Sequence, residues 1–183
     1  PGSRTKEMQL LLPPMAEAAV RLIARGDCQC VLALADTLSQ ADIAVSMRGA
    51  VLPVPVVSGD TYNLVHASDA VIVASGTATL ETALLERPMV IVYRTAPLTF
   101  ALARRLVSVP FIGMPNLVAG RAVVPELLQD AATADRMVAE VERFLDDRAY
   151  ASATSSALAS LRHALGGGGA AERAAGIAAE MLA

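Results

Sequence analysis

Tryptophan is absent from the 183 residues, and three phenylalanines with three tyrosines bring the aromatic share to only 3 %. With 54 % of the residues hydrophobic, the core must be built from Val, Leu, Ile and Ala, which suits helices packed on a buried sheet better than a tyrosine-rich binding surface. A formal charge of −3 lacks the clustered Lys and Arg of a nucleic-acid footprint, so no nucleic-acid partner is expected. The two histidines and two cysteines are too few for a metal centre, and Cys28 and Cys30 read as reduced core filler on opposite faces of a strand-like run. No apolar stretch reaches the roughly 20 residues of a membrane span, and no secretory leader is visible, so a cytoplasmic protein is the expectation. No G-x-G-x-x-G follows a strand and no G-x-x-x-x-G-K-[ST] occurs, which disfavours dinucleotide binding and triphosphate hydrolysis. No pair of Asp with one residue between them offers a bridging metal site for a nucleotide diphosphate. A bound pyrophosphate would have to be held by backbone dipoles and arginine.

What is there alternates. Strand-like runs fall at Cys28 to Ala35, Val54 to Val57, Asp69 to Ala74, Pro88 to Tyr93 and Phe111 to Met114. Helical segments lie between them, with Pro13-Pro14 expected to break the first into a short helix and a second from Pro14 to Arg25. Further helices are expected over Ala41 to Met47, Thr61 to Ala67, Thr77 to Leu85, Pro97 to Val107, Thr133 to Asp146, Tyr150 to Leu165 and Ala170 to Leu182. This pattern predicts an α/β fold, a Rossmann-like parallel sheet with helices on both faces and ligands at the strands' carboxyl ends. Residues 1–165 would form one lobe, and Gly166 to Gly169 a joint to the last helix. The chain opens on the turn "PGSR", and a turn has a strand feeding it, so a first strand and a further lobe are expected upstream.

The stretch "ASGTATLE" at 74 to 81 sets small hydroxylated residues at the end of a buried strand. The free N–H groups and dipole of the following helix would bind an anion. Gly76 would let a phosphate approach the backbone, and Thr77 and Thr79 would cap the helix or donate to phosphate oxygens. Glu81, read as lying in the first turn, has two carboxylate oxygens for the two vicinal hydroxyls of a ribose. Those residues alone suit a plain capped junction equally well. Other polar loops favour a site: Ser3 and Arg4 in a second glycine turn, Tyr93 and Arg94 at the end of the next strand, and Asn116 in a Pro- and Gly-bounded lip.

The segments "SGTATLE", "RPMVIVYR", "PLTFALARRLV", "PNLVAGR" and "VPELLQ", in this order and spacing, resemble lipid-A-disaccharide synthase. The opening "PGSR" and closing "AAERAAGIAAEML" are similar to that family's C-terminal half, so the resemblance covers nearly the whole chain. It implies the donor lobe of a two-lobed GT-B glycosyltransferase, which joins UDP-2,3-diacylglucosamine to 2,3-diacylglucosamine 1-phosphate and releases UDP. In family terms, Ser75, Gly76, Thr77 and Thr79 match the diphosphate turn, Glu81 the ribose contact, and Arg4 and Asn116 residues near the UDP. No cofactor or metal is implied. The catalytic base is expected in the missing lobe, and acylated substrates place the work at the cytoplasmic face of the inner membrane. Pro13-Pro14 and residues 36–52 match the family poorly. Two further readings concern helices: Arg104 and Arg105 beside an apolar face suit either solvent or an anionic membrane surface, and the Ala-rich last helix suits exchange between protomers. The rivals are an epimerase or paralogous glycosyltransferase on the same framework, and a non-catalytic assembly or regulatory domain.

Overall fold

The computed structural model describes residues 1–96, 100, 109–165 and 169–182. A long helix, α1 (Thr5–Ala24), opens the chain and runs unbroken through Pro13 and Pro14, contrary to the expected break. Each proline removes a bond to the carbonyl four residues back and costs about 3 kcal/mol in an isolated helix. Here tertiary contacts compensate. The Leu10 carbonyl, which Pro14 leaves without its N–H, accepts from Arg94 Nη1 at 3.4 Å, while Met8, Leu11 and Leu12 around the pair are fully buried.

The strands then alternate with helices. They are β1 (Leu32–Leu34), α2 (Gln40–Ser46), β2 (Val56–Ser58), α3 (Thr61–Ala67), β3 (Val71–Ala74), α4 (Thr77–Leu84) and β4 (Met89–Tyr93). After residues 97–108 come α5 (Met114–Ala119), β5 (Glu126–Leu128), a 3-10 turn (Gln129–Ala131), α6 (Ala134–Asp146), α7 (Arg148–Leu165) and α8 (Ala170–Leu182). The helix expected over Pro97 to Val107, with Arg104 and Arg105, lies outside the described residues apart from Phe100. All pairings are parallel: β1 with β2, and β3 with β4 with β5. The fold is therefore α/β with parallel strands, as the alternation predicts.

Strand β4 shows the layering. Val90 and Val92 turn to one face, against Leu11, Ala18 and Leu22 of α1 and Met137, Val141 and Phe144 of α6. Met89 and Ile91 turn to the other, against Ala83 of α4 and Leu158 and Leu161 of α7. All four are 0 % exposed, so β4 is buried on both faces and reads as a continuous apolar run. A third cluster joins Met8 and Leu12 of α1 to Leu32, Leu34 and Ile43 around the small sheet. Both cysteines are free and both pack against the α1–α6 core, not on opposite faces, because side chains two residues apart in an extended segment point the same way.

Two expectations near residue 115 change. Met114 begins α5 instead of ending a strand at Phe111 to Met114, and Asn116 sits inside that helix instead of in an irregular lip. Pro115 is accommodated in its first turn and Gly120, at φ 65, ends it in the left-handed region. The last strand is β5, three residues long and absent from the sequence reading. No described residue of α8 is buried. Among the described residues, no helix is long and apolar enough to cross a membrane.

Candidate functional site

The N-terminal turn, the β3–α4 junction and the flanks of β1 and β3 line one cleft of about 1210 Å³. At the junction, Ser75 N–H donates to Val92 O at 2.9 Å and so continues the β3–β4 ladder. Its hydroxyl donates to Ile112 O at 3.2 Å. Gly76 is the N-cap of α4, and no side chain caps the helix. A Cβ built on Gly76 meets no atom within 4 Å, so the space before the turn is open to an approaching group. Thr77 and Ala78 are exposed, with N–H groups in the uncapped first turn.

Thr79 does something else. It is 0 % exposed, and its hydroxyl donates to Gly76 O at 2.7 Å, which braces the turn from inside. Glu81 follows four residues after Thr77, in the second turn of α4 rather than the first, half-buried and on the cleft wall.

The turn Pro1-Gly2-Ser3-Arg4 lines the same cleft. Gly2 has φ 111, in the left-handed region that favours glycine, and the Glu7 side chain folds over it, with Oε2 2.6 Å from where a Cβ would stand. Thr37 Oγ1 donates to Ser3 O at 2.7 Å and ties the turn to the carboxyl end of β1. Arg4 is the N-cap of α1, again without a side-chain cap. Its side chain is 78 % exposed, and the guanidinium pairs with Glu7 at 2.7 Å. A pair so open to solvent is worth at most about 1 kcal/mol, little obstacle to an incoming phosphate. Two helix N-termini without side-chain caps, those of α1 and α4, thus line the same cleft, with Arg4 at the first of them.

Of the ten residues singled out, the structure brings Ser3, Arg4, Ser75, Gly76, Thr77 and Glu81 onto the cleft. Thr79 stands behind it. Tyr93, Arg94 and Asn116 do not line it. Tyr93 ends β4 in register with Leu128. Arg94 is engaged by three carbonyls of two segments: Ala132 O at 2.9 Å from Nη2 and Gln129 O at 3.3 Å from Nε, and Leu10 O from Nη1. It fastens α1 to the chain between β5 and α6.

Asn116 is 1 % exposed and makes four bonds within the protein. Its Oδ1 accepts from Val123 N at 2.7 Å and Val124 N at 3.0 Å, and its Nδ2 donates to Val124 O and Glu126 Oε1, both at 2.8 Å. Glu126, which the sequence reading did not single out, completes this bracket: its carboxylate accepts from Ile112 N and Gly113 N, each at 2.9 Å. Together Asn116 and Glu126 hold the segment whose Ile112 carbonyl receives the Ser75 hydroxyl. Only the "PELLQ" motif marked the position, and spacing gave it no role. Among the described residues, no group of three His, Cys, Asp or Glu is arranged to hold a metal ion.

The lipid-A-disaccharide synthetase family model matches residues 1–179. Similar proteins include lipid-A-disaccharide synthases from Geobacter sulfurreducens, 48 % identical over all 183 residues, and from Geobacter metallireducens, 46 % identical over the same span. That of Myxococcus xanthus is 44 % identical, also across the whole chain. In each case the chain covers 48 % of the relative, so it spans about half the length of the proteins it matches. On a match over essentially its full length, the chain belongs to the lipid-A-disaccharide synthetase family.

Proposed function

We propose that this chain is the UDP-sugar-binding lobe of a lipid A glycosyltransferase, joining UDP-2,3-diacylglucosamine to 2,3-diacylglucosamine 1-phosphate with release of UDP. The observation that carries the reading is the convergence of two uncapped helix N-termini and Arg4 on one cleft. The N–H groups of Thr77 and Ala78, with the open face of Gly76, suit the diphosphate oxygens. Arg4 leaves Glu7 to fork two of them. Glu81, about one turn into α4, accepts the two ribose hydroxyls. Thr79 braces the turn from behind, and Asn116 supports through Glu126 the segment that receives the Ser75 hydroxyl, while Arg94 fastens α1 away from the site.

The chemistry assigned to these groups is stabilisation of the leaving group. An acceptor hydroxyl attacks the anomeric carbon, and the bond from that carbon to the β-phosphate oxygen breaks. The electron pair stays on UDP, where the helix termini and Arg4 meet the developing charge. The displacement is inverting. The proton of the attacking hydroxyl passes to a base outside this chain, in the half of the protein that the relatives' length implies. Residues 1–183 alone bind UDP without turnover. Acyl chains on both sugars place the reaction at the cytoplasmic face of the inner membrane.

The test is the activity of the protein extended to its relatives' length, assayed for UDP and lipid disaccharide release. Formation of disaccharide supports the proposal; a nucleotide sugar altered without an acceptor points to an epimerase. A second reading attaches to α8, where Ile177, Met181 and Leu182 are 60 %, 82 % and 89 % exposed. It pairs with α8 of a second copy, which analytical ultracentrifugation with and without residues 166–183 tests by loss of a dimer.

A further inference from the structure

The Ser75 hydroxyl is committed in one direction. It donates to Ile112 O at 3.2 Å, and a carbonyl oxygen can only accept, so the single hydroxyl proton lies on that bond. The Ser75 oxygen keeps its lone pairs. Among the described residues no N–H or O–H donates to it, and α4 begins without a side-chain cap that would use it. Ser75 is half-buried and lines the cleft, within reach of a bound molecule.

The carbonyl that takes the proton is itself held. Glu126 accepts from Ile112 N and Gly113 N, each at 2.9 Å, and from Asn116 Nδ2 at 2.8 Å. Asn116 is 1 % exposed and is fixed in turn by Val123 N and Val124 N. Beside Gly113 there is no slack, since a Cβ there would lie 2.3 Å from Ile91 Cδ1. Turning the Ile112 carbonyl elsewhere would break this bracket. Swinging the hydroxyl into the cleft would leave that half-buried carbonyl without its donor.

A serine beside a phosphate turn ordinarily offers its proton to a phosphate oxygen. Here that proton is in use. The phosphates of a nucleotide sugar are ionised and present oxygens only, so lone pairs on Ser75 would repel them. The matching group is one that donates. Along the chain the order is Ser75, then Gly76 to Ala78 at the open helix terminus, then Glu81 about one turn on. With the ribose at Glu81 and the diphosphate at the terminus, Ser75 falls on the far side of the phosphates, where the sugar begins.

We propose that Ser75 is the hydrogen-bond acceptor that reads an O–H or N–H of the donor sugar, with its own proton kept on Ile112 O by the Asn116–Glu126 bracket. The assignment rests on the cleft being a UDP-sugar site, and it sets Ser75 apart from the diphosphate turn in which the family resemblance places it. Ser75 is then a specificity-determining residue: a ligand that ends at its β-phosphate has no proton to give it.

The test compares UDP with UDP-2,3-diacylglucosamine in detergent micelles, at about pH 8 so that the terminal phosphate of UDP is ionised. Each is titrated without acceptor into the protein extended to its relatives' length, as wild type and as Ser75→Ala. The affinity for the sugar nucleotide relative to UDP should fall about three- to tenfold in the variant, the worth of one neutral hydrogen bond. An unchanged ratio would overturn the proposal, whether both affinities fall together, as for a phosphate contact, or neither moves. Should Ser75→Ala fail to fold, Ser75→Cys, whose sulfur accepts only weakly, is read by the same ratio. A wild-type protein that binds no UDP overturns the nucleotide site and this assignment together; UDP binding with an unchanged ratio removes the assignment alone.

Discussion

Arg94 and Asn116 are polar residues whose type suggested ligand contact and whose geometry directs them inward. Arg94 makes hydrogen bonds to three carbonyls, one of them freed by Pro14. Arg94→Ala should lower stability by about 1.5–3 kcal/mol, read as a reduced denaturation midpoint, while UDP affinity of the folded fraction stays within about twofold. Asn116 satisfies both its amide groups within the protein, so Asn116→Asp replaces the donating Nδ2 by an acceptor oxygen that faces Val124 O and the Glu126 carboxylate. That variant should be destabilised by about 1–3 kcal/mol, with faster exchange at Val123 and Val124 as its signature. Which polar residues turn inward was not legible because their partners are mostly backbone groups, 7 to 10 residues away for Asn116 and 35 to 84 for Arg94, that only the folded chain brings near. The junction residues Ser75, Gly76 and Thr77 were legible, since a strand ending in small residues before a helix fixes its own geometry.

Elements with strong local signals came out as their sequences indicate. Thr61–Ala67 is a helix over the anticipated span, and Thr133 caps α6 through Arg136 N at 3.4 Å. The misreadings occur where tertiary contacts override local preference. The proline pair in α1 is tolerated through burial and Arg94, and β5 is too short to show alternation, being defined by its pairing with β4. The segment before α5 is packed to its limit: a Cβ at Gly113 would lie 2.3 Å from Ile91 Cδ1. Gly113→Ala should therefore cost about 1–3 kcal/mol through overpacking and loosen the Ile112 carbonyl that holds Ser75, so UDP affinity should fall along with the melting temperature.

Across the whole molecule, ion pairs between distant segments set the response to acid. Arg25 at the end of α1 reaches Asp146 at the end of α6 with bonds of 2.8 and 3.0 Å, and also pairs with Asp27. Hydrogen bonds from Arg25 hold the Asp146 and Asp27 carboxyls below their usual range, and bonds from Ser39 do the same for Asp42. Carboxyls with lowered folded values contribute stability above the unfolded value of about 3.9 and lose it as pH falls through the folded ones. Thermal stability should thus show no decline from these three groups between pH 8 and 5, and should fall below about pH 4. Arg25→Ala should weaken the part of that acid limb due to Asp146 and Asp27.

The parallel α/β character of the molecule was legible from alternation alone. The division of the described strands into two hydrogen-bonded sets was not, because it depends on which strand edges meet.

The central claim is that the cleft between Arg4 and the Ser75–Glu81 segment binds the nucleotide of a UDP-sugar. Calorimetric titration of UDP into the protein extended to its relatives' length tests it most directly, with NAD as control and Glu81→Ala beside the wild type. Saturable UDP binding, no NAD binding, and a loss of about 10- to 150-fold in affinity on substitution, equivalent to about 1.5–3 kcal/mol, is the predicted result. UDP affinity unchanged by Glu81→Ala in a protein with a wild-type melting temperature would contradict it.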